Sequence, residues 1–274
     1  MLSSGRVLED LTKIALSAGE IILQIYQQDF AAIAKQDGSP VTAADTAAEV
    51  LIIAALRRHF PSLPVVAEES MAAGATVQIR RQFFLVDPLD GTREFVSRNG
   101  EFTVNIGLID AGMPRLGVVY APALGVIFAG ELGSGARTAD VQNGQITAWR
   151  AARVRSPERQ RLTVLASRSH RTPETDHYLR QLPPHDLLSV GSSLKFCRVA
   201  AGEADIYPRF GRTMEWDTAA GDAVLRAAGG CVLTLDGAPL AYGKSTAGQP
   251  ELFANPDFIA ASSAALASAR GPLR

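Results

Sequence analysis

Leu8, Leu11, Ile14, Ala15, Ala18, Ile21, Ile22 and Ile25 recur every three or four residues, a period that predicts a long amphipathic helix opening the chain. A polar stretch, Lys35-Gln36-Asp37-Gly38-Ser39-Pro40, then reads as a loop. Thr42 is placed to cap a second helix over Ala43–Arg58, and Pro61 marks its end. Val65-Val66-Ala67 reads as a short strand running into Glu68 and Glu69, and Phe83–Val86 as a buried strand that stops at Asp87. Three β-rich runs follow, Phe102–Ile109, Leu116–Ala121 and Gly125–Ala129. Ala111-Gly112-Met113-Pro114 and Pro122-Ala123 separate them, which predicts antiparallel hairpins.

The arginine-rich segment Ala151–Arg161 offers the best domain boundary. Beyond it, Leu162–Ala166 reads as a strand, and helices and strands alternate as far as Gly230-Cys231-Val232. The expected fold class is therefore α/β, with an α+β N-terminal domain over 1–155 and an α/β C-terminal domain over 156–274. Ala260–Arg274, rich in alanine and serine, reads as a terminal helix or a frayed tail.

Composition narrows the function classes. The 274 residues are 47% hydrophobic and 20% charged, an ordinary globular balance with ample length for a core. A formal net charge of −1 argues against broad attraction to nucleic acid or anionic membrane. An anionic substrate must then be met locally, by metal ions or a few cationic side chains. Cys197 and Cys231 form no framework and read as buried free thiols, which fits a reducing compartment. Glu9 and Asp10 interrupt any signal-peptide core, and no apolar stretch reaches the about 20 residues that span a bilayer. The chain reads as cytoplasmic. His59, His170, His177 and His185 are scattered without metal-ligand spacing.

Three places share one design, an apolar strand or turn that ends in acid: Ala67-Glu68-Glu69, Val86-Asp87-Pro88-Leu89-Asp90 and Glu215-Trp216-Asp217. Singly, each has a plain structural explanation as a helix cap, a solvated loop or a turn. Together they point to one rim of a sheet, where α/β ligand sites form. Clustered carboxylates repel unless a cation sits among them, and divalent cations take oxygen ligands and cut phosphate esters. The turn after Pro88 can aim the Leu89 carbonyl inward as a further ligand. Gly91 permits close backbone approach, and Gly91 and Thr92 offer N–H groups to a phosphate near a helix start at Arg93-Glu94-Phe95.

Glu68-Glu69, Asp87-Pro88-Leu89-Asp90-Gly91-Thr92 and Trp216-Asp217-Thr218-Ala219-Ala220-Gly221 resemble the inositol monophosphatase superfamily of lithium-sensitive, magnesium-dependent phosphatases. The resemblance runs from the first helix to Gly230. Lys35–Asp45, Arg98–Ile106 and Gly191-Ser192-Ser193-Leu194-Lys195-Phe196-Cys197 are similar to its bacterial CysQ-type branch, the 3′(2′),5′-bisphosphate nucleotidases.

That resemblance implies a layered α/β/α/β/α fold with the site between the halves. It implies a phosphoric monoester hydrolase acting on adenosine 3′,5′-bisphosphate, or its sulfated form, with inositol 1-phosphate or a sugar bisphosphate as the alternative substrate. One magnesium would be held by Glu68, Asp87 and the Leu89 carbonyl, a second by Asp87, Asp90 and Asp217, with a third near Glu68. Thr92 and Asp45 would orient and deprotonate the attacking water. Glu68, Leu89, Asp90, Gly91, Thr92 and Asp217 would also line the substrate. The Gly191-Ser192-Ser193 turn would meet phosphate or ribose through N–H and hydroxyl groups, with Lys195, Arg209 and Arg93 as candidate cations. Glu215 would add negative charge beside the second metal. The resemblance also admits peripheral contact with the cytoplasmic side of the inner membrane, although no basic amphipathic helix demands it. It leaves oligomeric state open, a homodimer included.

Overall fold

A computed structural model of the chain describes residues 4–34, 40–157, 161–244 and 253–269. The opening helix α1 spans Ser4–Tyr26. A small hairpin, β1 (Ala32–Ala34) and β2 (Pro40–Thr42), precedes helix α2 (Ala43–His59). The loop string Lys35–Ser39 lies outside the described residues. Thr42 caps α2 as its position predicts. Its hydroxyl accepts from the Ala44 N–H at 3.2 Å, while the Asp45 carboxylate accepts from the Thr42 N–H at 2.8 Å, so two free helix-end donors are satisfied reciprocally.

Strand β3 (Val65–Ala67) leads into the single turn α3 (Glu68–Ala72). Strand β4 runs over Gln82–Asp90, past the apolar stretch and through both aspartates, with its register broken between Asp87 and Asp90. The acids thus stand on an irregular strand end rather than on a free turn. Helix α4 (Thr92–Val96) follows, then β5 (Thr103–Asp110), β6 (Met113–Ala121) and β7 (Val126–Glu131) as antiparallel neighbours. The chain continues through β8 (Gly135–Gln142), β9 (Gln145–Ile146) and β10 (Arg150–Ala152). These three have no sequence counterpart, because Gly135-Ala136-Arg137-Thr138-Ala139-Asp140 is short of β-branched and aromatic residues. The first sheet runs β10-β8-β7-β6-β5-β4-β3, with β9 paired to β8.

The second sheet is built from β11 (Leu162–Ser167), β12 (His185–Val190), β13 (Ile206–Arg209), β14 (Gly230–Thr234) and β15 (Phe258–Ser262), in the order β12-β11-β13-β15-β14. Helix α5 (Pro173–Gln181), α6 (Leu194–Ala200), α7 (Glu215–Ala227) and α8 (Ser263–Ala269) complete the chain. The expected terminal helix is therefore shorter, since Ala260–Ser262 belongs to β15; residues 270–274 lie outside the described ones. Cys197 is buried, but Cys231, in β14, is only partly so.

Alternation along the strands divides the core. Phe84 and Val86 of β4 join Val104, Ile106, Val118 and Ile127 beneath α1 and α2, whereas Phe83 and Leu85 face α6, α7 and the inner face of the second sheet. The outer face of that sheet is closed by α5 and α8 through Leu162, Val164, Tyr178, Leu179 and Ala265. Five layers result, α1–α2, sheet, α6–α7, sheet, α5–α8, as the expected α/β/α/β/α fold requires. The middle layer sits close. Gly107, Gly117 and Gly130 are register partners across β5, β6 and β7. A Cβ at Gly117 would lie 2.2 Å from the Ala220 carbonyl oxygen, and one at Gly130 2.7 Å from Val224 Cα. Helix α7 therefore lies on a bare track of sheet backbone.

Candidate active site

Strand ends β3 and β4 are parallel neighbours, with Ala67 opposite Val86, so Glu68 and Asp87 emerge side by side. Helix α7 brings Asp217 to the same place. Carboxylate oxygens of Glu68, Asp87 and Asp217 all lie within 4.8 Å of one another. Three anionic oxygens from three elements suit a hard divalent cation, and without one they repel. Asp90 lies outside that group, and both it and Asp217 titrate above the ordinary carboxylate range. Close packing of protein atoms around the Asp90 carboxyl pushes its pKa up to about 6, although Lys195 opposes the shift. Asp217 is driven well above the ordinary carboxylate range, first by enclosure and then by the charges of Asp90 and Glu68. The donor set fits a metal centre, which would reverse both shifts.

Asp45, in the first turn of α2, is 1% exposed. Its Oδ2 accepts from the Thr42 N–H and from the Thr42 hydroxyl at 2.7 Å, and its Oδ1 accepts from the Thr92 hydroxyl at 3.0 Å. The Thr92 oxygen also lies 3.3 Å from the Leu89 carbonyl. Gly91, the N-cap of α4, has φ +92°, a left-handed backbone that favours glycine. A Cβ there would also approach the Glu101 carbonyl oxygen to 3.2 Å. Asp87 is buried, and its Oδ1 accepts from the Leu89 N–H at 3.0 Å.

Glu215 does not face the acids. Its buried carboxylate accepts from the Gly243 N–H at 2.6 Å and the Lys244 N–H at 3.2 Å, and pairs with Lys244 Nζ at 2.8 Å. Its charge is therefore neutralised on the far side of the helix start. Asp217 accepts from the Met214 N–H at 2.8 Å, which fixes that end of α7.

Two of the three strings similar to the nucleotidase branch, Arg98–Ile106 and Gly191–Cys197, meet in space. Glu101, in the loop before β5, accepts from the Gly191 N–H at 2.7 Å and from Arg168 at 2.9 and 3.0 Å. Burial alone would raise the Glu101 pKa, but the Arg168 guanidinium and the Gly191 N–H outweigh it and hold it low. Ser192 adopts φ +47° in the turn before α6. Ser193 departs from expectation: its hydroxyl is 2.7 Å from Asn105 Oδ1 and 2.9 Å from the Thr103 hydroxyl, and its N–H lies 2.5 Å from Asp90 Oδ2. Its side chain is committed to the protein, because a buried hydroxyl has to be satisfied. Arg98 is also structural. Its guanidinium donates to the carbonyls of Tyr26 and Gln28 and covers the Tyr26 and Phe30 rings, closing the end of α1.

Lys195 is no solvated helix lysine. It is 4% exposed, donates to the Val190 and Ser192 carbonyls and lies 5.2 Å from the Tyr207 ring centroid. Burial lowers its pKa to about 8, against the pull of Asp90. Arg209, also buried, donates to the carbonyls of His170 (3.1 Å) and Arg212 (2.9 Å), while its Nε meets no hydrogen-bond partner among the described residues. His170 is held down to about 4 by partial burial and by the charges of Arg209, Arg93 and Lys195. Arg93, exposed on α4, donates to the Ser169 carbonyl at 3.4 Å.

Sequence reasoning passed over several buried polar residues around these groups. Glu49 accepts from the N–H groups of Glu69 and Ser70 at 2.7 Å each, and so pins the turn that carries Glu68. Its signal was an acid on the buried face of α2, one turn beyond Asp45. Glu94, buried in α4, accepts from the Ser169 hydroxyl at 2.5 Å. Asn105 and Thr103 sit inside a strand read only for its apolar residues.

Comparison with known proteins gives the same picture over nearly the whole chain. The model of the inositol monophosphatase family matches residues 6–269. The 3′(2′),5′-bisphosphate nucleotidase CysQ of Escherichia coli K12 is 45% identical over 254 residues, covering 92% of this chain and 98% of that protein. The protein of the same name from Salmonella typhimurium is 46% identical over the same span. The crystal structure of CysQ from Bacteroides thetaiotaomicron superposes with a TM-score of 0.79 at 36% identity, covering 96% of this chain and 99% of that one. The chain belongs to the inositol monophosphatase family.

Proposed function

We propose that this protein is a magnesium-dependent 3′(2′),5′-bisphosphate nucleotidase, which hydrolyses adenosine 3′,5′-bisphosphate to AMP and phosphate and accepts the sulfated form as a related substrate. The observation that carries the phosphatase reading is the convergence of Glu68, Asp87 and Asp217 beside the Thr92–Asp45 hydrogen bond. Two halves, 1–155 and 156–274, close on the site, the second supplying Asp217. In this reading Glu68, Asp87 and the Leu89 carbonyl hold one magnesium; Asp87, Asp90 and Asp217 hold a second, and a third binds near Glu68. When bound, magnesium neutralises phosphate charge and acidifies water.

The protein's own contribution is to place a proton path. Thr42 gives Asp45 Oδ2 two donors, and the Thr92 hydroxyl meets Oδ1 at 3.0 Å, which places Oδ1 to receive the Thr92 proton. Thr92 gives its hydroxyl proton to Oδ1, and its oxygen lone pairs then accept from the attacking water. As that water attacks phosphorus, its proton passes to Thr92 and the Thr92 proton to Asp45, while the bond from phosphorus to the 3′-oxygen breaks and that oxygen takes up a proton from solvent. Gly91 and Thr92 N–H groups face the phosphate.

Substrate choice rests on charge. Arg209 donates to the His170 carbonyl, and its charge converges on His170 with those of Arg93 and Lys195, so a second phosphate placed there would gain attraction. A neutral inositol ring would not, which ranks inositol 1-phosphate as the alternative. Similarity to the Escherichia coli nucleotidase supports the same ranking. A phosphate-release panel with magnesium, with EDTA as control, tests it. Adenosine 3′,5′-bisphosphate is expected to turn over far faster than inositol 1-phosphate, and the reverse order would overturn the substrate assignment. Lithium at millimolar concentration is expected to inhibit in the same assay.

A further inference from the structure

The Asp90 carboxylate is bonded by both halves of the molecule. The Ser193 N–H, before α6, donates to its Oδ2 at 2.5 Å, and Asn105 Nδ2, on β5, lies 3.4 Å from the same oxygen. The Asn105 amide cannot choose its orientation freely. Its Oδ1 accepts the Ser193 hydroxyl proton at 2.7 Å, so the NH2 end must face Asp90. The Ser193 oxygen in turn accepts from Thr103 at 2.9 Å, since its single proton is spent on Asn105. Thr103 and Asn105 are wholly buried and Ser193 is 2% exposed. Buried neutral polar groups add little net stability over apolar groups of the same shape, but once satisfied they fix a single orientation.

We propose that Ser193 and Asn105 are positioning residues that commit Asp90 Oδ2 to the protein and leave Oδ1 as the oxygen available to a cation. The proposal rests on the reading of Asp90 as a metal ligand. It makes the Gly191–Ser193 turn, which stands beside the nucleotide cations, part of the apparatus that sets a metal ligand. Loss of the Ser193 hydroxyl frees the Asn105 amide to turn over. Its carbonyl oxygen would then repel Asp90, and the carboxylate would rotate away from its metal-binding orientation.

The test is calorimetric titration of magnesium into the metal-free full-length protein, with melting temperature recorded in parallel. Ser193→Ala is expected to weaken one class of magnesium sites by about tenfold, the scale of outer-shell losses around metal ligands. Asn105→Ser removes the same link without adding charge and should show the same loss, so the test survives if one variant fails to fold. Thr103→Val strips a partner from Ser193 but spares the Ser193–Asn105 bond. It should lower the melting temperature while magnesium affinity stays within about twofold of wild type, a split that general loosening of the core would not produce. Wild-type affinity in both Ser193→Ala and Asn105→Ser overturns the proposal. Magnesium binding that is absent in the wild type, or unchanged by Asp87→Asn, would instead overturn the metal-site reading beneath it.

Discussion

Asp217 and Asp90 each carry a carboxyl whose charged form is disfavoured in the folded chain. Both carboxyls are pushed upward by enclosure, and each feels the other's charge or that of Glu68. Removing one of the charges should therefore stabilise the metal-free protein. Asp217→Asn is expected to raise the melting temperature in EDTA by about 2–4 °C, the shift that about 1 kcal/mol produces in a chain of this size, while turnover with magnesium is nearly abolished. A lower melting temperature than wild type would mean that the acids are not in mutual repulsion. Asp90→Asn should likewise nearly abolish phosphate release while leaving the circular-dichroism spectrum unchanged. Thr92→Val keeps shape and removes the proton path to Asp45. Its kcat is expected to fall by about 100-fold, the lower range for a lost general-base element, with magnesium affinity unchanged in calorimetry. The acids themselves were legible in the sequence because each closes an apolar strand or opens a helix. Glu49, Asn105 and Thr103 were not, since a polar residue inside an apolar element says nothing about which distant atom satisfies it. Glu215 misled for a related reason. Its neighbour Asp217 faces the other acids, but on a helix, positions two apart do not share a face.

Among the elements, the loop before β5 and the turn before α6 are joined through Glu101, with Arg168 as the third member. The folded pKa of Glu101 lies below its ordinary value, so its contribution to stability is full above the unfolded carboxylate range of about 4.3 and is lost as pH falls through the folded value. Glu101→Gln should lower the melting temperature by about 2 °C at neutral pH. That gap should hold above about pH 5 and close in more acid solution, as the wild-type carboxylate takes up its proton. A gap that widens on acidification would refute the ion-pair account. Sequence patterns located most elements well where apolar residues were dense, as in α1, α2 and β4 to β7. They lost β8 to β10, whose polar and small residues form strands because β7 supplies a ladder to β8, and β8 in turn to β9 and β10. Boundaries slipped where tertiary pairing extends a strand, as at the end of β4 and at Phe258–Ser262.

For the molecule as a whole, the five layers follow from residues buried on two faces of one sheet, and the central layer brings the second half's acid to the first. No helix among the described residues is long and apolar enough to cross a membrane. A cation that binds the folded site and not the unfolded chain stabilises the fold, so magnesium is expected to raise the melting temperature of the wild type, and EDTA to reverse the gain. The shift should vanish in Asp87→Asn.

The glycine track under α7 has a consequence for how tightly the site is gauged. Helix and sheet touch there through backbone and methyl groups, which have no rotamers to absorb an error. The spacing of Asp217 from Glu68 and Asp87 is thus a ruler made of main chain, and its marks are Gly107, Gly117 and Gly130. One methyl at Gly117 would prise the ruler open by lifting the helix at Ala220, so the damage would appear one turn away, as a wider spacing of Asp217 from Glu68 and Asp87.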